Sequence, residues 1–504
     1  MTSFAAEPEH ITEIRRQLTR WVAEKMPREK RREWDKVATW DRGLFRELAE
    51  MGLIGLTIPE EYGGQGEDIY AAAAVIDELC QGGPSMAGPF IHAAFYGGLN
   101  ISENGSKEQK AELLPRIARG EMFLCYGLSE PNVGGDLPNV ETRVERKDGE
   151  LVIKGAKRWC TGADWSDYIY CLCRSGEPGD RHGNLTFVLV PTKAKGVTMQ
   201  PIEHANLRYT HSMDVFLDDV RLPESAIVGG PEKWNKGWEA LAGRALDVEK
   251  IEITAVAYGI ARAALEEAWR YAGERVQFGK PIGKHQAIAH KLVTARTKLA
   301  ACRHMLYHAA WLASEGKPCS AETAMAKLFV ADTGVEIALA SQQVIGAYGL
   351  SDAYDIERNV RDLLGAEDED RVAHGPEALG PQLQADEEQK QDDAELGEVE
   401  DLLGLVVRER PADRVGAEYQ ADDEIAGRDM LAHPPFGRDV AGQHPDQPRP
   451  ERRLATAELH EPVKLVDLPG PPSLFDVEPA TGRFLVAAQA GRERREVVRR
   501  HRGG

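Results

Sequence analysis

The sequence predicts an α+β chain in which a helical domain, a β domain and a helical bundle follow one another, with an atypical tail behind them. Three observations carry this. Apolar residues recur at helical spacing up to about residue 120 and again from about 231 to 365. Between them, over 121–230, the apolar period falls to two. After Gly365 the composition changes: all nine Trp and all seven Cys precede residue 320, and the last 139 of the 504 residues hold no Asn and two Lys. Residues 366–504 are therefore not expected to form a compact catalytic domain.

In residues 1–120, "FRELAEMGLIGL" sets Phe45, Leu48, Met51 and Leu53 near helical spacing, and Gly52 interrupts the run. "PEEYGGQGED" is a glycine-rich turn. No strand precedes it and no Lys-Ser/Thr follows, so it is not read as a phosphate loop. "GSKEQKAELLPRIARGE" predicts an amphipathic helix ending near Gly120. In 121–230, "RVERKDGELVIKG" predicts a hairpin turning at Asp148-Gly149, which tolerate positive φ. "DYIYCLCR", "NLTFVLV" and "MDVFLDDVRL" complete a barrel-like β domain. In 231–365, three helical runs of unusual length predict an antiparallel bundle able to carry subunit contacts. The tail, 366–504, with its acidic run "QADEEQKQDDAELGEVED", reads either as a solvated disordered segment or as a frame-shifted translation.

The net charge of -20 argues against nucleic-acid or anionic-membrane partners. No run of 18 apolar residues predicts a membrane span, and the N-terminus lacks a secretory signal pattern. The cysteines form no CxxC pair; Cys171 and Cys173 alternate along one strand. Reduced, structural thiols, no metal site and a cytoplasmic location are expected.

Seven motifs, in order, give the chain a family resemblance. They are "MGLIGLTIPEEYGG", "GSKEQKAELLPRIARGE", "YGLSEPNVGGD", "GAKRWCTGADWSDY", "FLDDVRLPESAIVG", "RVQFGKPIGKHQAI" and "VIGAYGL" with "RNVRD". Together they resemble the acyl-CoA dehydrogenases, FAD flavoproteins with the same α–β–α order. The resemblance implies FAD held between the β domain and the bundle, an acyl-CoA substrate, an electron-transfer flavoprotein as acceptor, and a homodimer or homotetramer. It also implies site roles. Tyr126, Leu128 and Ser129 would contact the flavin edge, and Gly134 and Gly135 the phosphates or the substrate. Trp159 would cover one flavin face, and Thr161 would bond near N5. Taken alone, the glycine stretch also reads as a strand turn and Trp159 as core. "GLSEP" misses the nucleophile-elbow pattern at Pro131.

By the same resemblance, Arg275, Phe278 and Gln286 reach the FAD of a neighbouring subunit. Gln343 and Gly346 meet its adenine end, with Ala347 and Tyr348 where Gly-Asn is commoner. The implied reaction is α,β-dehydrogenation, in which a carboxylate removes the α-proton. Most members carry that base on a loop shortly after the "RD" pair, which also gives an amide to the thioester carbonyl. Here Glu369 and Asp370 fall near that position by count, with no Gly-Thr after them. Other members carry the base on the helix beginning at "LDVEK". Glu249 heads the stripe Ile253, Val256 and Ile260 and matches that motif. Glu249 is thus the expected base, with Asp247 and Lys250 at the substrate and Glu252 an edge residue of the surface. An acidic residue favoured by the helix dipole is the plainer reading. An oxidase or monooxygenase on the same fold, or an inactive relative, are the other functions left open.

Overall fold

The computed structural model describes residues 7–176, 182–241 and 243–373. The tail from 374 onward lies outside the described residues.

The N-terminal helices start where side chains can satisfy free backbone N–H groups. Ser106 and Gln109 form a reciprocal capping box at Lys107–Ala118, and Asp41 and Asp68 cap Arg42–Glu50 and Ile69–Cys80. Gly52, at φ +80°, stops continuation of the Arg42–Glu50 helix. One segment departs from α geometry: His92–Leu99 is a π-helix set between Ala87–Ile91 and Asn100–Asn104. The Thr57 hydroxyl donates to the Ala94 carbonyl inside it. Such widened turns recur at functional sites.

The chain then forms one seven-stranded sheet. Its strands are β1 (Leu124–Gly127), β2 (Arg143–Lys147), β3 (Glu150–Lys157), β4 (Tyr168–Arg174), β5 (Leu185–Pro191), β6 (Val197–Ile202) and β7 (Ser212–Pro223). The spatial order is β1-β4-β2-β3-β7-β6, with β5 added antiparallel to β4. The β2–β3 hairpin closes through Asp148 and Gly149, both at positive φ. All seven cysteines are free and buried.

Three long helices follow, Arg244–Glu274, Gln286–Ser314 and Ser320–Ile345. The first approaches Ile69–Cys80 closely at Gly259, where an added methyl would lie 2.6 Å from the Cys80 Cβ. A fourth helix, Ile356–Ala373, was not foreseen from sequence. Glu369 and Asp370 fall within it, so their backbone is helical rather than a loop.

The "RD" pair fastens this fourth helix. Arg361 binds Asp35 at 2.7 Å and the Ala205 carbonyl at 2.8 Å. The fully buried Asp362 accepts from the Leu207 N–H at 2.8 Å. Burial pushes its pKa up to about 6, against the pull of Arg358 and Arg361. A raised native pKa means the folded state holds the proton more tightly. Its contribution is therefore complete below about pH 4 and is lost as pH rises through about 6. The stability of the wild type minus that of Asp362→Asn should fall by about 3 kcal/mol between pH 4 and 6 in denaturant titrations. A flat difference would refute the ionisation.

Candidate active site

Glu249 lies in the second turn of Arg244–Glu274 and is half-buried. Tyr126 of β1 lies within electrostatic reach of it. Burial raises the Tyr126 pKa well above the phenol range, and the nearby Glu249 and Glu252 carboxylates raise it further. The Tyr126 hydroxyl accepts a 2.6 Å bond from Asn100 Nδ2, and its ring lies 4.3 Å from that of Tyr96. The π-helical segment and the short helix after it thus deliver Tyr96 and Asn100 to the same place as the helix carboxylates.

Glu252 corrects the sequence reading. Expected at the surface, it is only 2% exposed. The Arg244–Glu274 helix packs against Ile69–Cys80, Gln286–Ser314, Ser320–Ile345 and Ile356–Ala373. With neighbours on most sides, Val248, Ile251, Ala255, Val256 and Ile260 are all buried, and no wide polar face remains to count from.

Asp247 and Lys250 are engaged with the protein. Lys250 Nζ pairs with Asp247 Oδ1 at 3.0 Å, and Asp247 Oδ2 accepts from Ser320 Oγ at 2.6 Å. They fasten the start of this helix to the start of Ser320–Ile345.

The segment from Tyr126 to Gly135 is held from beneath by a pair whose members lie too far apart in the chain to be matched by spacing. Lys157 Nζ, fully buried, binds Glu130 Oε1 at 2.8 Å and the Leu128 carbonyl at 3.0 Å. Burial alone would raise the Glu130 pKa; Lys157 and the Glu141 and Thr142 amides outweigh it and hold the carboxylate ionised. The Ser129 carbonyl accepts from Arg158 N at 2.9 Å, which sets this loop beside Trp159. Gly134 and Gly135 are exposed at its tip.

Trp159 is 52% exposed and sits at φ +60°. A non-glycine residue in the left-handed region is held there by its surroundings, and such positions cluster at functional sites. Thr161 Oγ1 lies 3.1 Å from Ser212 Oγ. Beneath them, His92 Nδ1 bonds the Leu124 carbonyl at 2.9 Å, and burial lowers its pKa to about 3, so the ring is neutral.

Arg275, Phe278, Gln286, Gln343 and Gly346 form a separate group. Arg275 is 26 residues beyond Glu249 along one helix, roughly 39 Å away. Phe278, 93% exposed at φ +53°, tips the Val276–Gln277 and Lys280–Pro281 hairpin. Gln286 opens the next helix, and Lys291 within that helix donates to Gln343. Gly346 follows Gln343 at φ +70°.

Comparison with known proteins agrees with this architecture. The acyl-CoA dehydrogenase N-terminal, middle and C-terminal domains match residues 8–121, 125–220 and 235–367. The chain belongs to the acyl-CoA dehydrogenase family. A probable acyl-CoA dehydrogenase of Bacillus subtilis is 32% identical over 65% of this chain and 86% of its own length. A 3-(aryl)acrylate reductase of Clostridium sporogenes is 33% identical over 70% and 92%. A benzylmalonyl-CoA dehydrogenase of Aromatoleum aromaticum is 34% identical over 65% and 86%. Among solved structures, the butyryl-CoA dehydrogenase of Megasphaera elsdenii superposes with a TM-score of 0.69 at 26% identity. That superposition covers 74% of this chain and 98% of the other.

The cofactor of this acyl-CoA dehydrogenase is FAD, and the residues present fit it. An exposed indole held at positive φ, the paired Thr161 and Ser212 hydroxyls and an exposed Gly-Gly tip offer a ring face, polar contacts and close backbone approach.

Proposed function

We propose that this dehydrogenase oxidises an acyl-CoA thioester to the 2-enoyl-CoA, with Glu249 taking the α-proton. Bound FAD supplies the two-electron acceptor for the β-hydrogen. The observation that carries the reading is Glu249 itself, half-buried beside the Tyr126 phenol. A general base must lie within reach of the proton it takes and be shielded from bulk water, and a half-buried helix carboxylate meets the second condition. Trp159 covers one face of the ring, the Leu128–Ser129 backbone borders its edge, and Thr161 bonds its polar side. Lys250 and Asp247 steady the helix turn that carries the base and border the substrate.

Arg275, Phe278 and Gln286 lie too far from Glu249 to serve the same centre. We assign them to the FAD of a neighbouring copy in a homo-oligomer. Exposed Val293, Leu328 and Leu339 along the bundle support burial against that copy. The electrons pass on to an electron-transfer flavoprotein.

The full chain loaded with FAD should bleach near 450 nm when titrated anaerobically with an acyl-CoA of suitable length. It should recover colour with an electron-transfer flavoprotein faster than in air. A flavin-loaded chain that no acyl-CoA bleaches would refute the reading. It would favour a non-catalytic acyl-CoA binder instead. That second reading draws on the helix running on through Ala373, where the family has its amide-donating loop.

A further inference from the structure

We propose that His211 is a positioning residue for the flavin: as a doubly protonated imidazolium it clamps the Thr161–Asp164 turn to the end of the Arg28–Val37 helix. The inference rests on Thr161 bonding the flavin.

The charge follows from the partners of the two ring nitrogens. Nδ1 lies 2.7 Å from Asp164 Oδ2, and Nε2 faces the Ala38 carbonyl oxygen. An ionised carboxylate and a carbonyl can only accept, so both nitrogens must donate, which the cation alone does. His204 shows the opposite case. Its Nδ1 is 2.6 Å from the Asn206 carbonyl, and its Nε2 accepts from the Ser212 N–H at 3.3 Å. One acceptor and one donor fit the neutral ring. For His211, partial burial alone would lower the pKa; the bonds to Asp164 and the Ala38 carbonyl outweigh it and raise it above the ordinary 6.5. Charged groups on the surrounding elements are engaged elsewhere: Arg158 with Asp214, Arg361 with Asp35, and Arg42 with the Trp165 carbonyl. Asp164 is the charge that the imidazolium answers.

Three ties bind this turn to His211 and the residue after it. Gly162 N donates to the His211 carbonyl at 2.8 Å, Ser212 Oγ lies 3.1 Å from Thr161 Oγ1, and Asp164 holds the imidazole. Trp159 at φ +60°, His211 at +44° and Ala38 at +51° are all non-glycine residues in the left-handed region. Such a junction is strained and needs bonds to hold it. Deprotonation sets the lone pair of one ring nitrogen against an acceptor. The clamp is therefore complete below about pH 6.5 and is lost as pH rises through the higher native pKa. The Thr161 hydroxyl then loses its fixed place, and FAD is held more weakly.

The test follows FAD binding to the full chain by flavin fluorescence, with the absorption spectrum of the bound flavin, from about pH 6 to about pH 9. In the wild type FAD should loosen by about fivefold or more across this range, and the bound-flavin bands should shift with it. Asp164→Asn should move the transition to lower pH, because the carboxylate that favours the cation is gone. His211→Gln should bind FAD weakly and show no such transition. His211→Lys, which stays cationic with several N–H donors, should restore tight binding, again without a transition. A wild-type curve with no transition, or an unmoved transition in both His211→Gln and Asp164→Asn, would overturn the proposal. Unchanged FAD binding and spectrum in Thr161→Val would instead overturn the flavin contact on which it rests, a result separate from the His211 curves. No acyl-CoA enters these measurements, so a failure of dehydrogenation does not affect them.

Discussion

Glu249→Gln yields a yellow, FAD-bound protein whose anaerobic reduction by acyl-CoA is slowed by about 10²–10⁴-fold, the usual worth of a positioned general base. Glutamine keeps the length of the side chain and has a helix propensity close to that of glutamate, so the helix and its packing persist. What is lost is the basicity: the amide oxygen keeps lone pairs but is too weak a base to take the α-proton. Flavin absorbance per mole of protein should stay unchanged, which separates loss of chemistry from loss of cofactor. Glu249→Asp should fall between the two, because withdrawing the carboxylate by one methylene misplaces it by about 1 Å, enough to cost about 10²-fold. Rapid bleaching retained in Glu249→Gln would exclude this residue as the base. The buried Glu252, one turn further on, would then be the carboxylate to replace next.

The order of the chain could be read from its sequence because each part has its own period. The β2–β3 hairpin announces itself through Asp148-Gly149, and the long helices through sustained apolar spacing. β1 and β6 were not legible. β1 has four residues, and β6 carries Pro201 and a mostly exposed face. The fourth helix starts before the composition break and runs across it, so the abrupt change in residue types hid its continuation. At the site, Glu249 is legible through the apolar stripe it heads together with a motif, although the helix around it is enclosed by neighbours on most sides. The same enclosure buries Glu252, which residue counting sets at the edge of the surface. Contacts such as Asn100 with Tyr126, or Lys157 with Glu130, join residues 26 and 27 positions apart. No local pattern encodes them, because the first arises only when the Asn100–Asn104 helix meets β1 and the second only when the end of β3 meets the loop after β1.

Arg262→Met should cost about 3–5 kcal/mol of unfolding free energy, the range for removing one partner from a buried ionic cluster. Arg262 Nη1 binds Asp77 Oδ1 at 2.8 Å, and Nη2 binds Glu78 Oε2 at 2.9 Å. Arg15 reaches the same two carboxylates at 2.5 and 2.8 Å, and the Tyr307 hydroxyl donates to Asp77 at 3.0 Å. The cluster thereby joins Glu9–Lys25, Ile69–Cys80, Arg244–Glu274 and Gln286–Ser314 at one point. The carboxylates of Asp77 and Glu78 are 1% and 3% exposed, so water cannot replace a lost guanidinium. Burial by itself would raise the Glu78 pKa, and the two arginines reverse this and lower it. Removing one arginine leaves two carboxylates sharing the other. The penalty is thus mainly that of stranded charge, which predicts strong non-additivity. Arg262→Met with Glu78→Leu should recover part of the loss, and a double mutant as unstable as the sum of its singles would refute the cluster as a unit. Arg262 lies 13 residues from Glu249, about 20 Å along the helix. Bleaching per mole of bound flavin should therefore survive in Arg262→Met at temperatures where the protein remains folded, setting the scaffold's contribution apart from that of the base.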